Sequence, residues 1–219
     1  MAQVTTADIT KLRQKTGAGM MDCKNALVEA ECDHEKAIEI LRKKGQAVAM
    51  KRADREASEG CVVTRISADG KRGYMIALTC ETDFVAKNDG FVLLANNIAD
   101  VAMEQDPASI EILREIKIGN VTINDLCLDK VAAIGEKIGL TYFEKIEAEQ
   151  VFSYIHQGSK IGTMVGFNKP VADPHTGKDI AMQIAAMNPV AIDKEDVPQS
   201  VIEKEIEIGK DQARQEGKP

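Results

Sequence analysis

The stretch TGAGMMDCK, residues 16–24, places two glycines next to residues that could bind phosphate or form a reactive thiol. A phosphate loop needs the pattern GxxxxGK[ST] after a buried strand. Here the glycines follow a predicted helix, and Lys24 precedes an asparagine. A catalytic cysteine needs a histidine close in space, and no supporting pattern links Cys23 to His34, the nearest one in sequence. We therefore favour a helix–turn–helix corner with Cys23 in the core, because free cysteine is usually buried.

The methionine pair in this stretch, Met20 and Met21, suggests a different kind of function. Neighbouring residues on a helix point about 100° apart. If Met20 faces inward beside Cys23 and Leu27, Met21 must therefore point elsewhere. An exposed methionine suits a protein-contact surface, because the thioether adapts to the shape of a partner. A wide core stripe that buries both methionines explains the pattern equally well.

Two further stretches place a ring side chain in a polar loop. In ETDFVAKNDG, residues 81–90, Phe84 follows a predicted strand. It either binds a partner, since aromatic residues dominate binding hot spots, or folds back under the next helix. In SYIHQGSKIG, residues 153–162, His156 lies near a predicted hairpin tip. No carboxylate or serine is placed to make this histidine a base, so we interpret it as a surface residue.

Composition narrows the class of protein. The chain has 219 residues, of which 44% are hydrophobic and 29% charged, as in a globular protein of one or two domains. A formal net charge of -7 argues against a general nucleic-acid binder, which needs a basic face. The chain shows neither a long apolar run nor a signal peptide, so we expect a cytoplasmic protein with no membrane partner. Five cysteines without a CxxC pair indicate reduced thiols, and we expect no metal and no cofactor.

Glycines divide the first part of the chain into elements. Residues 1–45 predict three short helices, the first ended by Gly17 and Gly19 and the third by Gly45. A unit this small buries little surface and is marginal alone. Residues 46–59 form a charged connector, which we interpret as a hinge or an exposed helix.

The rest of the chain predicts an α+β fold in which one pattern occurs twice. The strands CVVTRIS and YMIALTC, joined by a turn at Asp69 and Gly70, lead through a polar loop to the helix FVLLANNIADVAM. The strands VFSYIHQ and IGTMVGF lead in the same way to DIAMQIAAM. Between the two copies, residues 107–148 predict two helices and a strand. We interpret the repeat as two related halves with antiparallel hairpins, followed by a charged helix after Pro198.

Four stretches of the chain resemble segments of a known family. LRQKTGAGMMDCKNAL (12–27) and LTCETDFVAKND (78–89) closely resemble the two signatures of bacterial elongation factor Ts. YIHQGSKIG (154–162) resembles a third segment, and AAIGEKIG (132–139) resembles the Ile-Gly-Glu segment of the family. The resemblance implies a guanine nucleotide exchange factor without catalytic chemistry of its own. Its implied partner is the translational GTPase EF-Tu, in GDP-bound and nucleotide-free forms, and no direct contact with nucleic acid is expected.

The resemblance also implies how the family acts and which residues take part. The factor binds EF-Tu carrying GDP, disturbs its Mg²⁺ site and promotes GDP release, so that GTP can bind during translation elongation. The segment that dislodges Mg²⁺ falls on Thr82, Asp83, Phe84 and Val85, with the aromatic ring as a wedge. Asp83 would either compete for local donors or orient the loop. The implied contacts with EF-Tu are Arg13, Met20, Met21, Lys24, Ile134, Gly135 and His156.

The family fold implies a division of the chain into domains. Residues 1–55 would form a three-helix docking domain like a ubiquitin-associated domain, with its linker. Residues 56–148 would form the first core half, residues 149–198 the second, and residues 199–219 the start of a helical coiled-coil insertion. The last residues, GKP, resemble a point inside that insertion after which most members continue. We therefore expect an incomplete second half, whose exposed apolar edge would favour a homodimer.

Two other classes of protein remain open on the residues alone. An interaction module with a domain like a ubiquitin-associated domain would bind a partner without catalysing exchange, although it has no need of the aromatic residue in ETDFVAKND. A thiol or acid–base hydrolase would need a nucleophile and a base, which the sequence does not assemble.

Overall fold

The computed structural model describes residues 4–217 and has an α+β fold. The ends of the predicted first and last domains, residues 1–3 and 218–219, lie outside the described residues. The chain divides into two compact units with a boundary after Ala185. The predicted four-part division into domains stays a prediction.

Helices and strands follow one another in the order that the sequence predicts, with a few additional short elements. The helices are α1 Thr6–Thr16, α2 Met20–Glu29, α3 His34–Lys51, α4 Asp83–Ala86, α5 Asp89–Gln105, α6 Ile110–Glu115, α7 Ile123–Ile134, α8 Pro174–Met187 and α9 Gln199–Gln215, with a 3₁₀ turn at Lys194–Asp196. The strands are β1 Glu59–Ile66, β2 Arg72–Cys80, β3 Lys117–Ile118, β4 Val121–Thr122, β5 Gly139–Glu147, β6 Gln150–Ile155 and β7 Gly162–Phe167.

The first three helices enclose a small core of their own, as predicted. Thr5 caps α1 in a capping box with Asp8. Gly17 ends α1 in the left-handed conformation, at φ 69°, which glycine adopts without steric cost. Gly19 instead has φ -61° and precedes α2, so only the first glycine needs this freedom. The buried residues of this core are Leu12, Ala18, Cys23, Ala26, Leu27, Ala30, Ala37 and Leu41.

Helix α3 does not end at Gly45, and that prediction is wrong. The helix continues to Lys51 and packs against α7. A β-carbon at Gly45 would come within 2.6 Å of the Leu128 carbonyl oxygen and 2.9 Å of the Ala132 β-carbon. Glycine at this position therefore lets two helices approach closely, and the start of the predicted connector, residues 46–51, belongs to α3.

The main core is built on an antiparallel sheet with the strand order β1–β2–β5. The β1–β2 hairpin turns at Asp69 and Gly70, as predicted, and Gly70 has φ 71°. Strand β5 pairs with β2, and the register shifts between Ala77 and Leu78. Helix α5 packs on β1 and β2 and buries Phe91 in the core. This packing fixes the end of β2, where the segment predicted to act on Mg²⁺ begins.

Strands β6 and β7 form a separate antiparallel pair, followed by a loop and α8. The order hairpin, loop, helix therefore occurs a second time, while the relation between the two halves stays a prediction. Helix α8 begins at Pro174, inside the stretch predicted as loop. Proline suits this position because its fixed φ is already helical and its missing N–H is not needed in the first turn.

Two further differences concern short elements and the last helix. The β3–β4 hairpin, between α6 and α7, was not predicted because two-residue strands leave no periodic pattern. The charged helix after Pro198 is confirmed as α9, which leaves Ile206 and Ile208 exposed. Among residues 4–217, none of the helices is both long enough and apolar enough to cross a membrane.

Candidate functional site

Residues 82–85, called here the Phe84 turn, begin a single-turn helix at the end of β2. The Phe84 side chain is 84% exposed, whereas the next residue, Val85, is 9% exposed and belongs to the main core. Adjacent residues on a helical turn point about 100° apart, so a buried Val85 forces Phe84 outward. The interpretation in which Phe84 folds under the next helix is wrong, and its exposure is established.

The Asp83 carboxylate forms an ion pair with a lysine of the same chain. Its carboxylate accepts a hydrogen bond from the Lys87 ammonium at 2.7 Å. This hydrogen bond and the positive charges of Lys87 and Lys160 hold the pKa of Asp83 below its usual value. Asp83 is therefore ionised at neutral pH, and of its two predicted roles the contact favours orientation of the turn.

The first residue of the Phe84 turn is bound by a carboxylate from a distant part of the chain. Thr82 donates its N–H to Glu136 Oε2 at 3.0 Å and its hydroxyl to Glu136 Oε1 at 2.7 Å. The Glu81 N–H also donates to Glu136 Oε2, at 3.2 Å. In return, the Lys137 N–H donates to Glu81 Oε1 at 2.6 Å. Each carboxylate thus binds the backbone of the other segment, and we call this arrangement the carboxylate clasp.

The connector that follows α3 is attached to the clasp. Arg52 donates to both carboxylate oxygens of Glu81 at 2.8 Å. The Lys137 ammonium donates to the carbonyl oxygens of Ala53, at 2.6 Å, and Arg55, at 3.0 Å. The Lys137 N–H hydrogen bond, followed by the Arg52 guanidinium, lowers the pKa of the Glu81 carboxyl. These contacts hold the connector against the segment that leads into the Phe84 turn.

Glu81→Gln is expected to lower the free energy of unfolding at neutral pH by about 1 kcal/mol. Because the pKa of Glu81 is lower in the folded state than in the unfolded state, the carboxylate stabilises the fold above the unfolded pKa, about 4.3. That contribution is lost as the pH falls through the folded pKa. Urea unfolding at pH 7, 5 and 3.5 should therefore show a difference between variant and native chain that shrinks with acid.

Glu144→Gln provides the control for this experiment, because it changes an exposed carboxylate on β5. Its unfolding free energy should stay within about 0.5 kcal/mol of the native value at each pH. A Glu81→Gln difference of the same size at pH 7 and pH 3.5 would contradict a stabilising role for the ionised carboxylate.

The predicted contacts Ile134 and Gly135 lie at the end of α7, directly before the clasp. Gly135 ends the helix in the left-handed conformation, at φ 83°, and donates its N–H to the Val131 carbonyl oxygen at 2.8 Å. Ile134 is 37% exposed. The turn at Gly135 redirects the chain so that Glu136 reaches the Phe84 turn.

The corner between α1 and α2 presents both methionines at the surface. Met20 is 49% exposed and Met21 63%. The expectation that Met20 faces inward is wrong, because Ala18 and Cys23 already cover the core at this corner. The Cys23 thiol contacts the Ala18 carbonyl oxygen. The surface interpretation of Met21 is confirmed, and the wide core stripe is excluded.

The α1–α2 corner also lies against the end of α7. A β-carbon on Gly17 would come 3.9 Å from the β-carbon of Ala133, the residue before Ile134. Arg13 and Lys24, the other predicted contacts of this region, are exposed on α1 and α2. The structure therefore places the loop between α1 and α2 next to the last turn of α7, which leads to Ile134 and Gly135.

His156 lies exposed at the tip of the β6–β7 hairpin, as the surface interpretation predicts. Its Nδ1 forms a hydrogen bond with the Tyr154 hydroxyl at 2.9 Å. In the same tip, Lys160 donates to Glu59 Oε1 at 2.6 Å. Glu59 pairs with Cys80 across β1 and β2, and the Phe84 turn follows Cys80 closely. The hairpin tip thus lies at the same end of the sheet as the Phe84 turn.

Three thiols show the properties of core residues. Cys23, Cys80 and Cys127 are buried. Burial raises the pKa of Cys23, and it raises the pKa of both Cys80 and Cys127 to about 11. A nucleophilic cysteine needs a lowered pKa, so the core interpretation of Cys23 is confirmed. In the part of the chain that the structure describes, no group of three or more His, Cys, Asp or Glu side chains could hold a metal ion.

Comparison with known proteins assigns the family. The family model described as Elongation factor TS matches residues 81–219. The elongation factor Ts of Christiangramia forsetii is 50% identical over 220 residues, covering 100% of this chain and 80% of that relative. The chain belongs to the elongation factor Ts family. The elongation factors Ts of Amoebophilus asiaticus and Porphyromonas gingivalis are 49% and 51% identical, covering 99% of this chain and 79% and 78% of the relatives.

Membership of the elongation factor Ts family establishes the general function. The family resemblance seen in the sequence is confirmed, and the function is that of elongation factor Ts, the nucleotide exchange factor for EF-Tu in translation elongation. EF-Tu is the partner that the family implies.

The sequence did not predict the carboxylate clasp. Glu136 stands in the AAIGEKIG segment, but only its neighbours Ile134 and Gly135 were assigned a role. From the local sequence alone, an acidic residue after a helix-ending glycine is indistinguishable from an ordinary surface residue. Its hydrogen bonds with Thr82 join positions 54 residues apart, and no local spacing indicates such a contact.

Proposed function

We propose that the Phe84 turn, the α1–α2 corner, the end of α7 and the β6–β7 hairpin tip form one surface that acts on EF-Tu carrying GDP. The corner docks on EF-Tu, and the Phe84 ring enters the region that supports the Mg²⁺ ion. Mg²⁺ and then GDP leave, and GTP binds in their place. The observation that carries this proposal is the 84% exposure of Phe84 beside a buried Val85.

Displacement of Mg²⁺ is an effective way to loosen a nucleotide. Mg²⁺ demands near-ideal octahedral geometry, so a small movement of its supports costs much of its affinity. Burial of one phenylalanine ring is worth about 1.5–3 kcal/mol, whereas release accelerated about 1000-fold needs about 4 kcal/mol. The ring alone is therefore insufficient, and the wider surface must contribute to the acceleration.

The docking contacts supply this wider surface. Exposed methionines suit a partner of fixed shape because the thioether adapts to it, and Met20 and Met21 stand together at the corner. Arg13 and Lys24 add positive charge beside them, and His156 extends the contact from the hairpin tip. In this proposal residues 1–55 form the docking domain, and residues 56–148 carry the Phe84 turn.

Coupling between nucleotide and factor is reciprocal. If binding of the chain lowers the affinity of EF-Tu for GDP, then GDP lowers the affinity for the chain by the same factor. The chain therefore binds nucleotide-free EF-Tu more tightly than EF-Tu carrying GDP. The exchange factor does not choose between GDP and GTP, since the concentrations of the two nucleotides decide which one enters.

Several finer properties belong to the same proposal. We propose that the chain has no catalytic chemistry of its own and acts in the cytoplasm, where translation takes place. No cofactor and no direct contact with nucleic acid is part of the mechanism. A homodimer and a relation between the two core halves stay predictions.

The proposal is tested by the release of fluorescent GDP from EF-Tu at fixed Mg²⁺, with and without the chain. GDP release should be faster with the chain. Added Mg²⁺ should reduce this acceleration, because a higher Mg²⁺ concentration favours the return of the ion to its site on EF-Tu. Binding without faster release would overturn the proposed action of the Phe84 turn. Absence of binding in the same samples would overturn the proposed docking surface.

Met21→Ala is expected to weaken binding to EF-Tu by about 5- to 10-fold, as for a contact residue within an interface. The release rate at saturating concentrations should change little, because the Phe84 turn is intact. Since Met21 is exposed, the free energy of unfolding should change by less than about 0.5 kcal/mol. Titration of EF-Tu with each variant measures the affinity.

Met50→Ala is the matched control, because Met50 is also exposed but lies near the end of α3. Its affinity for EF-Tu should equal that of the native chain. Unchanged affinity of Met21→Ala together with a lower unfolding temperature would mean that the methionine serves the fold and not the contact.

A further inference from the structure

We propose that Glu136 is a positioning residue for nucleotide exchange, whose carboxylate holds the Phe84 turn in the orientation that presents its ring to EF-Tu. The inference rests on the proposed function of Phe84. It concerns a residue that reaches the turn from the loop after α7.

The first residue of the Phe84 turn needs support from outside the turn. Helix α4 has only four residues, Asp83–Ala86, and a helix this short is unstable alone because nucleation is unfavourable. The side chain of its N-cap residue, Thr82, makes no capping hydrogen bond within the helix. The Thr82 hydroxyl instead donates a hydrogen bond to Glu136 Oε1 at 2.7 Å. The entry into the helix is therefore fixed from outside.

A carboxylate is suited to this task. Glu136 accepts three hydrogen bonds, from the Thr82 hydroxyl and from the N–H groups of Thr82 and Glu81. An ionised acceptor makes hydrogen bonds roughly twice as strong as a neutral one. The bound N–H groups lie on the two residues that join β2 to the helix. These bonds set the direction in which the chain leaves the sheet and, together with the burial of Val85, the direction of the Phe84 ring.

The position of Glu136 also joins two parts of the proposed surface. Ile134 and Gly135, proposed contacts with EF-Tu, stand directly before it in sequence. The reciprocal bond from the Lys137 N–H to Glu81 closes the clasp at the other side. The end of α7 and the Phe84 turn are therefore held to one another by the same two carboxylates, Glu81 and Glu136.

A positioning role and a purely structural role have different consequences. If Glu136 acts through Phe84, then removal of the Phe84 ring leaves Glu136 with nothing to position. The two substitutions are then non-additive in a double-mutant cycle. If Glu136 only stabilises the fold, its removal lowers the amount of folded chain and adds to the effect of Phe84→Ala.

The experiment compares the native chain, Glu136→Ala, Phe84→Ala and the double variant in the GDP-release assay. Glu136→Ala should lower the release rate at saturation about tenfold, in line with the loss of charge-assisted hydrogen bonds. The half-saturating concentration should change less than about threefold. The double variant should be no slower than Phe84→Ala alone, and Glu144→Ala, which changes an exposed carboxylate on β5, should match the native chain.

Additive effects in the cycle, or a native release rate for Glu136→Ala, would overturn the positioning role. A native rate for Phe84→Ala would instead reject the proposed function of the ring, so the two failures are distinguishable. If Glu136→Ala does not fold, Thr82→Val and Thr82→Ser replace it, since valine removes the hydroxyl donor and serine keeps it. Thr82→Ser should then release GDP faster than Thr82→Val, and equal rates would overturn the inference.

Discussion

Phe84→Ala is expected to slow GDP release from EF-Tu by about 10- to 100-fold at saturating concentrations of the chain. The substitution removes a ring whose burial is worth about 1.5–3 kcal/mol, and each 1.36 kcal/mol corresponds to about a tenfold change in rate. Binding should weaken only modestly, because the docking corner is unchanged. Since the Phe84 side chain is 84% exposed in the free chain, the free energy of unfolding should change by less than about 0.5 kcal/mol.

Leu93→Ala is the matched control for the loss of an exposed apolar side chain. Leu93 is exposed on α5, the helix that follows the Phe84 turn. Its variant should release GDP at the native rate. Wild-type exchange by Phe84→Ala would contradict the wedge, whatever the affinity. Loss of binding equal to the loss of rate would show that the ring serves docking and not the displacement of Mg²⁺.

Gly45→Val is expected to lower the free energy of unfolding by about 1–3 kcal/mol, the usual cost of overpacking. The reason is that a β-carbon at this position would meet a backbone oxygen, at Leu128, within 2.6 Å. A backbone carbonyl of α7 cannot move aside as a flexible side chain can. The Arg42–Asp129 ion pair between the same two helices, at 3.2 Å, would be disturbed by the same movement. Urea unfolding measures the loss.

The same substitution should weaken binding to EF-Tu. Helix α3 connects the docking corner to the main core, and its packing on α7 sets where that corner stands relative to the Phe84 turn. If the helices move apart, the two parts no longer fit EF-Tu at once, and affinity falls. Exchange at saturation should fall less, because the Phe84 turn itself is intact.

Gly209→Val serves as the control for a helical glycine. Among the described residues, and apart from the neighbouring backbone of α9 itself, no atom lies within 4 Å of a β-carbon at Gly209. Valine is also a slightly better helix former than glycine. Its unfolding free energy should therefore stay at or slightly above the native value. Equal stability of the Gly45→Val and Gly209→Val variants would contradict the close packing of α3 on α7.

The elements whose determinants are local were predictable from the sequence. The capping box of Thr5 and the hairpin turn at Asp69 and Gly70 each involve residues at most five positions apart, and both are present. The sequence motif around Phe84 likewise indicated the family and its partner. Local spacing was therefore sufficient for the class of fold, whereas the general function was indicated by the resemblance of the motifs to those of the family.

The features that depend on contacts across the chain were not predictable. Gly45 matches a helix stop in local sequence, but its neighbour is Leu128 on another helix. Met20 has the spacing of a core residue, but Ala18 already covers the core at that corner. Glu136 carries no local signal of its bond to Thr82. In each case the deciding partner is a matter of tertiary packing, which periodicity does not report.

The burial of Val85 directly after Phe84 has a mechanical consequence. A ring that pushes on another protein receives an equal force in return, and that force passes through one peptide unit into a core packed as densely as an organic crystal. Such a core has low compressibility, so it yields little under the load. In the proposed complex, little of the deformation would then occur in this chain, and most of it would fall on the region of EF-Tu that the ring contacts. If the residues beneath the ring were loosely packed, they would deform instead, and the Mg²⁺ ion would not move.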